Sequence, residues 1–287
     1  MPLRVEVTDN DEELVIDQKM YRRRHTLTLS KDLCYGCGLC VEACPKEAVE
    51  LVPPVKENKM GLVKKPLVTI DTAKCNFCGI CDVICPFGAI RVNTDGKHGI
   101  PVLETESFPQ LVREIEVDLD RCEKGCIDCA VACPLQIITV CPIKPDVIID
   151  KELCPACKWC EVVCTEYHTD AIRVEPIFYG TIRINTDKCP EGCRDCVDGC
   201  PLNSISVGED GKVEVDERFC VYCKACINVC PEEGAIDVQR AYVAHTPIKS
   251  GAWNKALERI ASTEAMNKEI RSRALKRLME SVQKRTP

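Results

Sequence analysis

The sequence predicts an α+β protein in which three tandem units of short strands and short helices surround groups of cysteines, followed by a C-terminal amphipathic α-helix. Three observations predict this fold. Of the 25 cysteines, all except Cys141 fall into six runs of four. A short strand precedes every run. Beyond the last run, apolar residues recur at the three- and four-residue steps of a helix.

Each cysteine run lies close to extended segments. Strands are predicted before the runs at residues 26–29, 68–70, 115–117, 147–149, 182–184 and 213–215, and after them at 89–92, 171–174 and 235–238. The repeated unit is therefore strand, cysteine loop, short helical turn and strand. Only 5% of the residues are aromatic, so a unit has little side-chain volume for a core. We expect bound metal to contribute to folding and the metal-free chain to be largely unfolded.

The spacing within a run is that of iron–sulfur ligands. Three cysteines spaced two residues apart can hold one face of a [4Fe–4S] cluster, and the fourth points away toward a second cluster. Two paired runs thus hold two clusters with their fourth cysteines exchanged. The predicted ligand sets are set 1 (Cys34, Cys37, Cys40, Cys85), set 2 (Cys75, Cys78, Cys81, Cys44), set 3 (Cys122, Cys126, Cys129, Cys164), set 4 (Cys154, Cys157, Cys160, Cys133), set 5 (Cys189, Cys193, Cys196, Cys230) and set 6 (Cys220, Cys223, Cys226, Cys200).

One inserted residue indicates which runs pair. Runs three and five each have an extra residue after the first cysteine, and Gly125 or Gly192 fills it, where a backbone without Cβ can take a positive φ. Runs four and six lack this residue, so the repeat period is two runs. Runs one and two, three and four, and five and six are therefore predicted to pair. The opposite pairing leaves the first and the last run without partners.

These pairs define the predicted domains. Residues 1–25 form an N-terminal segment, and residues 95–113 form a linker that is long enough to be flexible or to contact a partner. Only residues 175–180 separate the second pair from the third, so we expect those two to be held rigidly. The predicted two-cluster domains are residues 26–94 with an insertion at 52–66, residues 114–176 and residues 177–240, and residues 241–287 hold the C-terminal helix.

Composition excludes several classes of protein. The first ten residues contain no apolar segment of the kind found in secretory signals, so we expect a cytoplasmic protein with reduced thiols. No apolar run reaches the roughly 18 residues of a membrane span. The formal net charge is −7, and residues 248–287 contain ten basic and four acidic residues, which leaves −13 on the rest of the chain. Such an acidic body disfavours nucleic acid.

Other metal chemistries fit the runs less well. The spacing of Cys122–Cys129 and Cys189–Cys196 also occurs in radical S-adenosylmethionine enzymes, but here the fourth cysteine follows at once and leaves no iron open to substrate. Structural zinc sites use separated cysteine pairs rather than an unbroken run of four. The sequence contains no convergent acid, base and nucleophile, so we expect no enzyme and assign no catalytic residue.

Three residues depart from the repeat. Thr165 follows the fourth cysteine of run four where proline is usual, which adds a backbone N–H that can bond a cluster sulfur and change its reduction potential. His168, in the loop after it, is expected to be exposed, with a role as ligand or proton relay as the alternative. Cys141 is expected to be a buried thiol in a strand, with replacement of Cys133 as a ligand as the alternative.

The tail is predicted to be an amphipathic helix with a basic polar face, broken near residues 262–263. Its apolar positions are Trp253, Leu257, Ile260, Ile270, Ala274, Leu278 and Val282. The helix either packs on the acidic body or docks to a larger partner. In the second case, the neighbouring segment Cys189–Pro231 forms the docking end of a row of clusters.

The six runs, over residues 27–238, resemble the polyferredoxins. Two segments, Leu29–Cys40 and Phe108–Val117, are similar to the polyferredoxin subunit of archaeal formylmethanofuran dehydrogenase. The resemblance implies ferredoxin-like 2[4Fe–4S] domains with six [4Fe–4S] clusters in a non-catalytic subunit of an anaerobic, methanogen-type complex. It also implies exchange of low-potential electrons with a molybdenum or tungsten catalytic subunit, with a heterodisulfide reductase or hydrogenase nearby. The alternatives are a subunit of such a hydrogenase or heterodisulfide reductase system, and a stand-alone electron-storage ferredoxin.

Overall fold

The structure, a computed structural model, describes residues 4–54, 56–57, 62–63, 65–141, 143, 146–250 and 254–261. It confirms the predicted α+β class, built from short strands and short helices. The strands are β1 (Arg4–Asp9), β2 (Glu13–Lys19), β3 (Arg24–Ser30), β4 (Val49–Val52), β5 (Lys56–Glu57), β6 (Leu62–Val63), β7 (Leu67–Ile70), β8 (Ile90–Thr94), β9 (Lys97–His98), β10 (Ile115–Val117), β11 (Ile138–Val140), β12 (Val147–Ile149), β13 (Ile172–Val174), β14 (Phe178–Ile184), β15 (Ile205–Val207), β16 (Val213–Val215) and β17 (Ile236–Val243).

The helices are short and most of them follow a cysteine loop. They are α1 (Leu39–Ala43), α2 (Ile80–Ile84), α3 (Pro101–Glu104), α4 (Asp128–Ala132), α5 (Trp159–Tyr167), α6 (Asp195–Asp198), α7 (Ala225–Val229) and α8 (Asn254–Ala261), with 3₁₀ turns at Thr186–Lys188 and Glu217–Phe219. No helix in the described part of the chain is long and apolar enough to cross a membrane.

The same nested pairing of strands occurs three times. The strand before the first run of a pair joins the strand after the second run, as in β3–β8, β10–β13 and β14–β17. The two strands between the runs pair with each other, as in β4–β7, β11–β12 and β15–β16. All these pairs are antiparallel. The predicted strands before the six runs are therefore all present.

The N-terminal residues extend the first of these sheets. Strands β1 and β2 add to β3, β8 and β9, which gives a five-stranded antiparallel sheet with β1 at its edge. Alternate residues of β2 and β3 face the interior, where Ile16 and Leu27 are buried. Asp17 is also buried and accepts hydrogen bonds from Arg24 at 2.7–3.0 Å. The segment treated as separate in the sequence is thus packed onto the repeat.

The linker at residues 95–113 is packed rather than flexible. It contains β9 and α3, and Val102, Phe108 and Leu111 are buried in the interior. Leu111 forms an isolated antiparallel bridge with His245, which ties the linker to the chain after β17. The expectation of a flexible joint is wrong, because these apolar side chains contribute to a core shared with the middle and last thirds of the chain.

Proline determines where most of the cysteine-loop helices end. Helices α1, α2, α4 and α7 each end just before the fourth cysteine of a run, which is extended and followed by proline. Helix α5 continues through Cys164 to Tyr167 because Thr165 replaces that proline. The helix of run four is therefore longer than the helices of the other five runs.

The described turns of the tail helix pack on the body. Leu257 and Ile260 of α8 are buried, and α8 contacts α1 and β17. The other predicted positions of the tail, from Ile270 onward, lie outside the described residues, as do Trp253 and parts of the insertion at 52–66.

A buried polar network joins the first and last thirds of the chain to the tail. Arg240 points inward from β17 and pairs with Glu42 of α1, and its Nε donates to the Ile260 carbonyl at 2.7 Å. Lys224 Nζ lies 3.0 Å from the second oxygen of Glu42. Burial, together with the charge of Arg240, lowers the pKa of Lys224. Three parts of the chain are therefore fixed around one half-buried carboxylate.

We expect Arg240→Leu to destabilise the metal-loaded protein by about 3 kcal/mol, because removing one partner of a buried pair leaves Glu42 with less compensation. The matched control is Arg4→Leu, since the Arg4–Glu6 pair is exposed and contributes less than about 1 kcal/mol. The measurement is the midpoint of anaerobic thermal unfolding. Equal midpoints for the two variants would contradict the structural role of the network.

Candidate metal centres

The fold brings the cysteines together in the six predicted sets. In every set, one thiol, buried in five sets and half-buried in set 2, lies close enough to the other three members to be affected by their charge. Burial is the main cause that raises the pKa of each of these thiols, and the charges of its set members raise it further. The thiols are Cys40, Cys81, Cys129, Cys160, Cys196 and Cys223.

The fourth cysteines cross between paired runs. Cys85 of run two lies beside Cys40 of run one, and Cys44 of run one lies beside Cys81 of run two. The same exchange relates runs three and four, and runs five and six. In runs one, two, three and six, the fourth cysteine lies just after the helix that carries the third, and its backbone is extended.

The chemistry of these sets fits an iron–sulfur cluster. Burial and neighbouring charge raise the pKa of Cys129 and Cys196 to about 11, and that of Cys226 to about 12. Four such thiols become thiolates together only when a cationic group compensates their charge. Iron supplies that charge, and no pair of the cysteines is joined in a disulfide.

Backbone donors already point at several of the sulfurs. The amides of Ala48, Ala89 and Ala171 each donate to the fourth cysteine of the preceding run at 3.3 Å. Tyr222 N donates to Cys220 Sγ at 3.4 Å, and the Ser204 hydroxyl lies 3.2 Å from Cys200 Sγ. These bonds favour charged sulfur and tune the reduction potential of a cluster. In run four the donor to Cys164 Sγ is Ala171, and the bond from the Thr165 amide to a cluster sulfur stays a prediction.

Cys133 and Cys141 are clearly separated by their surroundings. Cys133 is buried and lies within range of Cys154, Cys157 and Cys160. Cys141 follows β11, is only half-buried, and its amide bonds the Asp146 carbonyl at 3.0 Å. The geometry therefore favours Cys133 as the fourth member of set 4.

Three of the sets meet at the centre of the molecule. After burial, the charge of Cys223 in set 6 is the largest influence that raises the pKa of Cys37 in set 1. Cys157 of set 4 and Cys200 of set 6 pack against the same hydrophobic core as Cys34 of set 1. Sets 1, 4 and 6 are therefore neighbours, and sets 2, 3 and 5, here called the outer sets, are each paired with one of them through the exchanged fourth cysteine. The spacing of the runs, which suggests a row of clusters, does not indicate this contact among three sets.

Arg113 lies between two of the central sets. Its Nε donates to the Cys154 carbonyl at 3.1 Å, and its Nη2 donates to the Cys85 carbonyl at 3.1 Å. Burial lowers the pKa of Arg113, and the charges of Cys85 and Cys154 oppose that shift. One guanidinium thus links a ligand loop of set 1 to a ligand loop of set 4 and places positive charge beside both.

An aromatic pair fills the contact between sets 4 and 6. Trp159, between Cys157 and Cys160, stacks on Phe219 with ring centroids 3.6 Å apart and an interplanar angle of 3°. The Trp159 indole N–H donates to the Leu202 carbonyl at 2.7 Å. Because the two rings lie against each other, they exclude water from this contact.

His168 is not the exposed loop residue that the sequence suggests. It directly follows the extended helix α5, is half-buried, and its Nε2 lies 2.7 Å from Asp128 Oδ2 and 3.7 Å from Cys126 Sγ. The hydrogen bond with Asp128 raises the pKa of His168. The longer helix of run four therefore brings a histidine next to a sulfur of set 3.

Several of these residues were missed in the sequence. Arg113 and Trp159 occur in segments with no pattern that indicates a partner. Arg240 did carry a signal, because it occupies an inward position of the alternating strand β17, where a buried cation requires an acidic partner. The predicted glycines are confirmed, since Gly125 and Gly192 have φ values of 84° and 73°.

Comparison with known proteins places these features in a family. The 4Fe-4S dicluster domain matches residues 33–89 and 188–234. The polyferredoxin-like subunit of an aliphatic sulfonate oxidoreductase from Pyrococcus furiosus is 37% identical over 95 residues, which is 30% of this chain and 53% of that protein. Formate hydrogenlyase subunit 2 of Escherichia coli is 36% identical over 98 residues, which is 32% of this chain and 46% of that protein. The chain thus spans about half the length of these curated relatives.

One solved structure matches nearly the whole chain. It is a chain of the formate dehydrogenase–heterodisulfide reductase–formylmethanofuran dehydrogenase complex from Methanospirillum hungatei. The sequence identity is 31%, the TM-score is 0.77, and the match covers 90% of this chain and 91% of that chain. The similarity therefore extends to the middle and last thirds of the chain, which the domain match covers only in part.

Replacement of Cys133 and Cys141 tests the membership of set 4. We expect anaerobically reconstituted Cys133→Ser to lose about four of about 24 iron atoms per chain, because its cluster lacks a ligand. Cys141→Ser is the matched control and retains its full iron content. Total iron per chain is the measurement. Full iron in Cys133→Ser together with loss of iron in Cys141→Ser would show that Cys141 is the ligand.

Proposed function

Because the chain belongs to the polyferredoxin-like iron–sulfur proteins with 4Fe-4S dicluster domains, we propose that it is a non-catalytic electron-transfer subunit with six [4Fe–4S] clusters. The proposed ligands are the 24 cysteines of sets 1 to 6. The proposed two-cluster domains are residues 26–94, 114–176 and 177–240. The observation that carries the proposal is that four cysteines come together in each of the six sets. In each set, one thiol lies close enough to the other three to be affected by their charge.

The residues around the sets have distinct tasks in such a subunit. When bound, each [4Fe–4S] cluster takes up and releases one electron at low potential. The cysteines hold their positions, and the amides of Ala48, Ala89 and Ala171 stabilise charge on the sulfurs. Arg113 keeps sets 1 and 4 together, and the stacked Trp159 and Phe219 keep sets 4 and 6 together. Electrons can therefore pass from one pair of sets to either of the other two pairs.

The outer sets differ in how they are covered. Beside set 2, the Val102 amide donates to the Cys78 carbonyl at 3.2 Å, and a Cβ added at Gly79 would meet Ile100 at 2.6 Å. Beside set 5, a Cβ added at Gly192 would meet nothing within 4 Å. We therefore propose that set 2 is not where electrons enter or leave the chain.

We further propose that the parent complex is an anaerobic oxidoreductase of the kind found in Methanospirillum hungatei, with formylmethanofuran dehydrogenase as the catalytic partner. In this proposal the chain acts in the cytoplasm with reduced thiols. The runner-up is a subunit of a hydrogenase-type system, which the similarity to formate hydrogenlyase subunit 2 favours.

Iron and partner content test the proposed function together. Anaerobically purified chain is expected to contain about 24 iron and about 24 acid-labile sulfide, because six cubane clusters require them. Affinity purification from the native host is expected to recover a redox catalytic subunit. Fewer than about 16 iron atoms after full reconstitution would contradict the six-cluster proposal.

Arg113 gives a prediction about potential. Arg113→Leu is expected to lower the reduction potentials of the clusters in sets 1 and 4 by roughly 50–100 mV, because it removes a half-buried positive charge beside both. Arg113→Lys keeps that charge and is expected to retain most of the wild-type potential. The control is Arg91→Leu, because Arg91 is exposed and pairs with Glu152 at 2.7 Å. Redox titration followed by EPR is the measurement. Equal potentials in Arg113→Leu and the wild type would show that Arg113 has no electrostatic role.

A further inference from the structure

The chain packs its own parts together through one recurring surface, which we call the run surface. It consists of two residues in each run. One is the residue directly after the second cysteine, and the other is the residue two positions after the third cysteine. In run one these are Gly38 and Glu42, and in run six they are Lys224 and Asn228. The two run surfaces face each other, because Asn228 Nδ2 donates to the Gly36 carbonyl at 2.7 Å and Lys224 Nζ lies 3.0 Å from Glu42 Oε1.

Runs two and four are less exposed at this place. In run two, Ile100 lies against Gly79 and Val83 is buried. In run four, Lys158 and Val162 are half-buried. Runs three and five are the two whose run surfaces stay exposed among the described residues.

Runs three and five have matching backbones but opposite chemistry at the run surface. Ile127 and Arg194 occupy the same position ahead of α4 and α6, with φ values of −125° and −130°. One turn later, Val131 matches Asp198. Arg194 and Asp198 form an exposed ion pair at 3.9 Å, whereas Ile127 and Val131 are 46% and 74% exposed. Run three thus has two exposed apolar side chains at the positions where run five has a solvated ion pair. Such an apolar pair indicates a contact with another protein.

Charge around the apolar pair defines the kind of partner. Glu123 and Asp128 lie beside it and are each about half exposed. Asp118 and Asp120 before the run are also exposed, and these four carboxylates outnumber the exposed basic residues at positions 121 and 124. An acidic border disfavours docking of a second copy through the same surface and favours a basic border on the partner.

We propose that Ile127 and Val131 form the docking surface for a redox subunit that presents an iron–sulfur centre beneath an apolar face bordered by Lys or Arg. The proposal rests on the proposed function. Cys126 and Cys129 flank Ile127 in the sequence, so a partner seated here places its centre beside set 3. One electron then passes between the two centres, one being oxidised as the other is reduced, and no bond forms or breaks.

The repeat itself supplies the test variants. Ile127→Arg with Val131→Asp installs in run three the ion pair that run five tolerates at the same backbone positions. Arg194→Ile with Asp198→Val makes the reverse change as the control. If the double variant loads iron poorly, the single variant Val131→Asp replaces it in the test, because position 131 is the more exposed of the two. Each is prepared as the full, cluster-loaded chain and shown to have wild-type iron content and wild-type reduction by titanium(III) citrate, which needs no docking surface.

The probe is the redox complex that co-purifies with the wild-type chain. We expect the run-three variant to bind it about tenfold or more weakly and to exchange electrons with it correspondingly more slowly, and the run-five variant to differ from wild type by less than about twofold. Equal binding by all variants, or a loss confined to the run-five variant, overturns the docking proposal while leaving the proposed function intact.

Two other occupants are also distinguishable. A wild-type dimer that the run-three variant converts to monomer assigns the surface to a second copy of the chain. A cross-link from a photoreactive residue at position 127 to residues 262–287 assigns it to the chain's own tail. Either result overturns the proposal. If the wild-type chain recovers no redox protein at all, the proposed function fails with it.

Discussion

Mutual repulsion among four thiolates in one small, buried site is the constraint on which the rest of this structure depends. Burial and neighbouring charge raise the pKa of one thiol in every set, so the sets need a compensating cation to become charged. The units between the runs are too short and too poor in aromatic residues to fold around side chains alone. Exchange of the fourth cysteine makes each site depend on two runs, so metal binding and chain pairing are one event.

The central meeting of sets 1, 4 and 6 uses three different kinds of contact. The half-buried carboxylate of Glu42 joins the first and last thirds of the chain through the buried Arg240. The guanidinium of Arg113 joins the first and middle thirds, and the Trp159–Phe219 stack joins the middle and last thirds. Each contact lies next to a ligand loop, so the contacts that fix the three parts also fix the separation between neighbouring sets.

The local elements could be predicted because their signals are local. Alternating apolar residues predicted every strand before a run, and the inserted Gly125 and Gly192 predicted the pairing of runs. The three-way arrangement could not be predicted in this way. Glu42 and Arg240 are 198 residues apart, and nothing near either one indicates the other. Burial of the linker was missed because Val102, Phe108 and Leu111 follow neither a helical nor a strand period.

Departures from the repeat gave more information than the repeat itself. Thr165 lengthens α5 and brings His168 to set 3. Ile127 and Val131 leave an apolar face where run five has an ion pair. Both departures occur beside set 3, which separates this outer set chemically from sets 2 and 5. Differences among internal repeats therefore indicate function where the repeats themselves indicate only the fold.

Anomalous scattering at the iron absorption edge, from crystals grown without oxygen, would show how many clusters the chain binds and which cysteines hold each one. We expect about 24 iron positions in six groups of four, each enclosed by one of the six sets, with the groups of sets 1, 4 and 6 adjacent to one another as well as to their paired groups. Fewer than six groups, a group bound by Cys141, or six groups in a single row would contradict this expectation.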